Sequence, residues 1–138
     1  MIRFLLDTNA LSEPIRPAPA PRFLSLLEKH RGECAIASVT WHEAVYGLNR
    51  LPAGRRREAL QEYLHGVVQT SLPVLPYDTP AAEWHGRERA RLVAAGLTPS
   101  FPDGQIAAIA KTQGLVLITA NHDDFKHFDG LELLSWLA

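Results

Sequence analysis

Apolar residues along this chain fall into short runs separated by longer stretches of helical period. Ile2 to Leu6 is a mostly apolar run that predicts a buried strand, and it stops on Asp7, where Thr8-Asn9 opens a helix. Asn9 to Glu13 predicts a turn or two of helix ended by Pro14, and the prolines at 17, 19 and 21 mark a connector. Arg22 to Lys29 reads as helix, Cys34 to Val39 as a second strand, and Thr40 to Asn49 as a helix with Trp41, Val45 and Leu48 at helical spacing. Arg55 to Thr70 is a longer helix, Pro73 to Leu75 a third strand, and Pro80 to Ala95 a helix with an alanine- and arginine-rich face. After a loop at Thr98 to Pro102, Asp103 to Thr112 is an alanine- and isoleucine-rich helix expected to be buried. Leu115 to Thr119 is a strand, and Glu132 to Leu134 a last short one.

Strands separated by helices imply a mainly parallel sheet, here of about four to five strands, between two helical layers. The expected architecture is a three-layer α/β/α sandwich. At 138 residues, without an interdomain linker or internal repeat, residues 1–138 form one domain.

Bulk composition narrows the function. A net charge of −1 argues against holding nucleic acid by overall electrostatics, although a local field can differ from the average. Cys34 is the single cysteine, so neither a disulfide framework nor a cysteine metal site is available, and a plain buried thiol is expected. No apolar run approaches the ~18 residues a membrane span needs, and no leader pattern opens the chain, so a cytoplasmic protein is expected.

Acid and amide groups recur at four places. Asp7 ends the first strand, Glu43 lies in the first turn of the helix after the second, Asp103 opens the alanine-rich helix, and Asn121, Asp123 and Asp124 follow the strand Leu115 to Thr119. Each has an ordinary explanation. Thr40-x-x-Glu43 and Ser100-x-x-Asp103 fit the capping box, and Asn121 and Asp124 fit turns. In a parallel sheet, however, strand ends and the following helix starts share one edge. Carboxylates gathered there must protonate or collect cations, and hard oxygen ligands suit Mg²⁺, with Mn²⁺ the other candidate. Phosphodiester hydrolysis is the chemistry that uses such a site.

Other motifs fail or stay neutral. His42-Glu43 lacks the second histidine of a zinc-protease helix, position 46 being Tyr. A phosphatase of the haloacid dehalogenase type would need an Asp where Asn9 stands, and no phosphate-binding glycine loop or Gly-x-Ser-x-Gly elbow is present. His42 and His122 flank the acids and are candidates for substrate contact, against a surface or cap role. Arg55-Arg-Arg57 and the set Arg87, Arg89, Arg91 are solvated helix faces or phosphate contacts. Trp41, Trp84 and Trp136 sit among apolar residues and are expected in the core.

The motifs in order resemble those of PIN-domain ribonucleases of the VapC toxin type. Leu5-Leu-Asp-Thr-Asn-Ala-Leu-Ser-Glu13, Ser38-Val-Thr-Trp-His-Glu-Ala-Val-Tyr-Gly-Leu48, Pro102-Asp-Gly-Gln-Ile-Ala-Ala-Ile-Ala110 and Thr119-Ala-Asn-His-Asp-Asp-Phe125 carry the resemblance over nearly the full length. It implies a metal-dependent endoribonuclease, the toxin half of a type II toxin–antitoxin system. It also implies a VapB-type antitoxin that covers the acidic site, a toxin homodimer within a larger toxin–antitoxin assembly, and an RNA substrate such as transfer or messenger RNA. DNA would be bound only through the antitoxin. The site expected is Asp7, Glu43, Asp103, Asn121 and Asp124, with Asp7 and Asp103 as metal ligands and Glu43 a ligand through water or a water-orienting base. Some relatives carry Asp where this chain has Asn121, so Asn121 and Asp124 rank level, Asp123 is expected to face solvent, and Asn9 is a candidate to bond an acid of the cluster. The departure at Asn121 sustains a second reading: a catalytically weak PIN domain that binds RNA or protein partners.

Overall fold

A computed structural model describes residues 1–137. Its centre is β1 (Phe4–Leu6), three residues buried on both sides. β2 (Cys34–Ala37) flanks it on one side, with β3 (Val74–Leu75) beyond. β4 (Val116–Ile118) flanks it on the other, with β5 (Leu133–Leu134) beyond. All four pairings are parallel, with Phe4 opposite Cys34 and Val116 and Leu6 opposite Ile36 and Ile118. The predicted mainly parallel sheet is therefore a five-stranded, fully parallel one in the order β3-β2-β1-β4-β5.

Strand alternation sorts the core into two layers. Phe4, Leu6, Cys34, Ile36 and Ile118 face one side, against Leu11 and Leu48 of α1 (Thr8–Ser12) and α3 (Ser38–Arg50), Phe23 of α2 (Pro21–Lys29), and Leu64 and Val68. Leu5, Ala35, Ala37 and Leu117 face the other, against Ala81 and Leu92 of α6 (Thr79–Ala94) and Ile106 to Ala110 of α7 (Phe101–Gln113). The alanines at 107, 108 and 110 are fully buried, which lets α7 lie close on the sheet as its composition predicted.

Several boundaries differ from the pattern-based reading. The second strand stops at Ala37 because the backbone turns into α3 at Ser38, two residues before the predicted start. Pro14 does not end the first helix abruptly; it sits in a 3₁₀ turn, Glu13–Ile15, where its missing N–H costs nothing. The predicted Arg55–Thr70 helix is α4 (Arg55–Glu62), a π-helical segment (Tyr63–Val68) and α5 (Gln69–Ser71). The wider turn keeps Leu64 and Val68 both buried while the Tyr63 hydroxyl donates to Leu11 O at 2.6 Å. Finally, α7 begins two residues early, at Phe101, with Pro102 in its first turn, and a short α8 (His122–Phe125) follows β4.

The expected core residues are in place. Trp136 lies edge-on to Phe4 and Phe23 and stacks on His30, while Trp41 and Trp84 pack partly buried against the two layers. Cys34 is a buried thiol pushed up to about 11 by desolvation, which makes it inert. No helix among the described residues is long and apolar enough to cross a membrane.

Candidate active site

The strand order reverses direction at β1, so the crevice between the C-terminal ends of β1 and β4 is the topological switch point of the sheet. Asp7 stands on one side of it and Thr119 on the other. The Asp7 N–H donates to Ile118 O at 3.1 Å, continuing the β1–β4 ladder, and its carboxylate turns to cap α1, accepting from Ala10 N at 2.8 Å. Asp7 is 4% exposed. Burial raises its pKa, the Thr119 hydroxyl and the N–H groups of Ala10 and Asn9 oppose that rise, and the charge of Asp124 adds to it.

Asp103 occupies the first turn of α7, where Ser100 caps the helix by accepting from Asp103 N at 3.2 Å. Its pKa is likewise raised, first by burial and then by Asp124, Glu43 and Asp7, with Ser100 pulling the other way. One carboxyl thus feels the charge of the three other acids. Glu43 is half-buried in the second turn of α3, and the Thr8 hydroxyl donates to its Oε1 at 3.1 Å.

After β4 the chain turns sharply. Asn121 N donates to the Thr119 hydroxyl oxygen at 3.0 Å, and Asn121 O accepts from Asp124 N at 3.1 Å. Asn121 and Asp124 are both exposed; the Asn121 side chain makes no capping bond, and the charge of Asp124 adds to the rise at Asp7 and Asp103. Asp123 points outward and pairs with Lys126 at 3.1 Å, as expected. A cleft of about 300 Å³ runs past Asp103 and Asp124, and a more open one of about 590 Å³ passes Glu43, His42 and Tyr46. Among the described residues, no three histidine, cysteine, aspartate or glutamate side chains are close enough together to hold an ion as they stand. The four acids offer carboxylate oxygens, with the Thr8 and Thr119 hydroxyls beside them, and such oxygen donors fit a hard divalent cation.

Some expectations need correction. Thr40 is no cap: α3 starts ahead of it, and its hydroxyl, 0% exposed, has no partner among the described residues. Asn9 meets Asp7 through its backbone N–H and not its exposed side chain, which bonds no acid of the cluster among the described residues; the Thr8 hydroxyl bonds Glu43. The arginines of α6 are exposed, as a solvated helix face requires, although Arg91 also pairs with Glu88 and donates to His127 O, and Arg89 lies over the Phe101 ring at 5.3 Å. Arg57 donates to Leu51 O at 2.8 Å, closing the turn before α4. Thr119 was missed as a site residue because a threonine ending a strand looks like any other β-former. The signal available was its place opposite Asp7 at the switch point.

Residues 4–131 match the PIN domain family, and the chain belongs to it. Among similar proteins, the tRNA(fMet)-specific endonuclease VapC of Shigella flexneri is 34% identical over 139 residues, covering 99% of each chain. Toxin FitB of Neisseria gonorrhoeae is 33% identical over 127 residues, 88% of this chain and 89% of FitB. Of solved structures, FitAcB from Neisseria gonorrhoeae matches with a TM-score of 0.88 at 29% identity over 96% of this chain and 97% of its own. DNA-bound VapBC from Salmonella typhimurium matches with a TM-score of 0.84 at 29% identity over 99% of each.

Proposed function

We propose that this chain is an endoribonuclease that hydrolyses phosphodiester bonds with a divalent cation, and that it serves as the toxin of a toxin–antitoxin pair. The observation that carries this is the placement of Asp7 directly after β1 at the switch point of the sheet, with Asp103 in the first turn of α7 and Glu43 tied by Thr8 to the start of α1. The near-full-length similarity to VapC and FitB supports it, and the VapBC and FitAB assemblies among the structural neighbours support an antitoxin partner. A second copy of the toxin and DNA contact through the antitoxin belong to the same reading.

Asp7 and Asp103 would hold the cation, Mg²⁺ or Mn²⁺, with Glu43 reaching it through water and Asp124 completing the charge. When bound, the cation supplies Lewis acidity toward the phosphodiester and makes water a stronger acid. The protein's own groups do the rest. Thr8 engages Oε1 of Glu43 and leaves Oε2 free to orient a water or accept its proton. Thr119 and the α1 backbone fix the Asp7 carboxylate in one rotamer. Asp124 in place of an acid at position 121 keeps the negative charge at the crevice.

The test is cleavage of total RNA and transfer RNA by the purified, partner-free protein. It is run with Mg²⁺ or Mn²⁺ and with chelator, beside Asp7→Ala and Asp103→Ala. Discrete fragments that need the metal and disappear in both variants support the reading. Fragments that persist in chelator or in the variants remove it.

A further inference from the structure

The start of α7 packs against α6 so closely that position 104 admits only glycine. A Cβ on Gly104 would fall 2.7 Å from Cδ2 and 2.9 Å from Cε1 of the His85 ring, and nearer still to Nε2. Such approaches are well inside van der Waals contact, so either the ring or the helix would have to move. The ring has nowhere to go. His85 is 3% exposed, the Tyr77 hydroxyl bonds its Nδ1 at 2.8 Å, and the Phe101 ring lies 4.9 Å away, centroid to centroid. One turn further along α6, Arg89 covers the Phe101 ring. Phe101 is the first residue of α7, so His85 touches the first turn of that helix at two points, on either side of Asp103.

We propose that His85 is a positioning residue of the active site. Its Nε2 edge, seated on Gly104 and anchored through Nδ1 to Tyr77, sets where the first turn of α7 holds Asp103 relative to Asp7. The inference rests on the reading of Asp103 as a metal ligand. A histidine that merely filled the core would matter to stability alone, whereas this one matters to ion affinity in a folded protein. The glycine follows from the histidine: a side chain at 104 would push Asp103 out of the crevice.

The test uses the full chain as His85→Asn, His85→Gln, Gly104→Ala and the double variant His85→Asn/Gly104→Ala. Each is followed by thermal unfolding and by Mn²⁺ titration with electron paramagnetic resonance, with Asp103→Asn as control. His85→Asn keeps an amide where Nδ1 was and removes the edge against Gly104, so Mn²⁺ affinity falls on the order of tenfold, as for other supports of metal ligands. His85→Gln places an amide where Nε2 was and retains most of the affinity. Gly104→Ala lowers Tm in the wild-type background and much less in the His85→Asn background.

Equal effects of Gly104→Ala in both backgrounds would show that the two residues do not share space, and would overturn the proposal. Wild-type Mn²⁺ affinity in folded His85→Asn, where Asp103→Asn has lost the ion, would overturn it as well. Undiminished Mn²⁺ binding by Asp103→Asn would instead bring down the reading of the acid site, and this proposal with it.

Discussion

The Thr8 hydroxyl donates to Oε1 of Glu43 at 3.1 Å, tying the first turn of α1 to the second turn of α3 across 35 residues of chain. The bond joins residues that follow two neighbouring strands, and it fixes which carboxylate oxygen of Glu43 is free to meet a water. A hydrogen bond to a charged group contributes about 1.5–3 kcal/mol, somewhat less where solvent reaches it. Thr8→Val removes the donor at nearly constant volume and is expected to slow RNA cleavage about tenfold. Thr8→Ser is expected to restore most of it. A Thr8→Val enzyme as fast as wild type would mean that Glu43 is held by something else.

The four acidic motifs were legible because Asp7, Asp103 and the Asn121–Asp124 group fall just after a strand or at a helix start, and Glu43 one turn further into the helix than its apolar spacing predicted, since α3 starts at Ser38. Fold class followed from the short apolar runs. What stayed hidden depends on packing between distant segments. His85 and Gly104 are 19 positions apart and meet only because α6 and α7 lie together on one face of the sheet. Helical periodicity could not register the widened turn at Tyr63–Val68, since its apolar spacing still fits a helix. Nothing in the sequence marks Glu13 or Glu88, yet both are buried and bonded to backbone N–H groups, of Ala20 and Asp129 respectively. The level ranking of Asn121 and Asp124 needed the turn after β4 to be seen, because either one could face the crevice until the backbone is traced.

That turn gives a direct comparison. Both side chains reach solvent; Asp124 brings a charge that acts on the carboxyls of Asp7 and Asp103, while the backbone of Asn121 makes bonds that shape the turn. Asp124→Asn is expected to lower cleavage at least about tenfold, the usual scale for a residue supporting a metal ligand. It also lowers the pKa values of Asp7 and Asp103, readable as carboxyl ¹³C shifts against pH. Asn121→Ala is expected to change both little. If Asn121→Ala proves the more damaging of the two, the amide and not Asp124 completes the site.

Raised carboxyl pKa values also set a pH dependence. Asp7 and Asp103 hold protons in the folded state at pH values where the unfolded chain, with its carboxyls at 3.8, has lost them. At these two sites the folded state binds more protons than the unfolded one, so their contribution to stability falls as pH rises from about 3.8 through the raised values and is flat above them. Asp7→Asn removes one of the two contributions while keeping an oxygen for Ala10 N. Without divalent ions it is expected to melt higher than wild type at pH 7, with the gap closing toward pH 4. Mn²⁺ at a hundredfold excess over its Kd would stabilise wild type by about 2.7 kcal/mol and leave Asp7→Asn nearly unmoved. Scanning calorimetry across pH checks both; an Asp7→Asn chain that gains nothing over wild type between pH 4 and 7 without metal would contradict the burial argument.

Glu88 is 8% exposed and serves two donors at once: Asp129 N at 2.6 Å and the guanidinium of Arg91, which itself reaches His127 O. It therefore ties α6 to the segment between α8 and β5, a few residues past Asp124. Glu88→Ala leaves the Asp129 N–H without its acceptor, while Arg91 keeps His127 O and solvent, and the loss is about 2 kcal/mol. For a chain of this size that is a loss of roughly 7 °C in Tm. Glu88→Gln keeps one acceptor oxygen and is expected to lose about half as much. The local consequence distinguishes this tether from general destabilisation: the Asp129 amide should exchange with solvent much faster in Glu88→Ala while the amides of β1 keep their protection relative to global unfolding. Equal acceleration at Asp129 and in β1 would mean that Glu88 supports the whole fold and not this segment, and cleavage activity should then fall only as far as the folded fraction does.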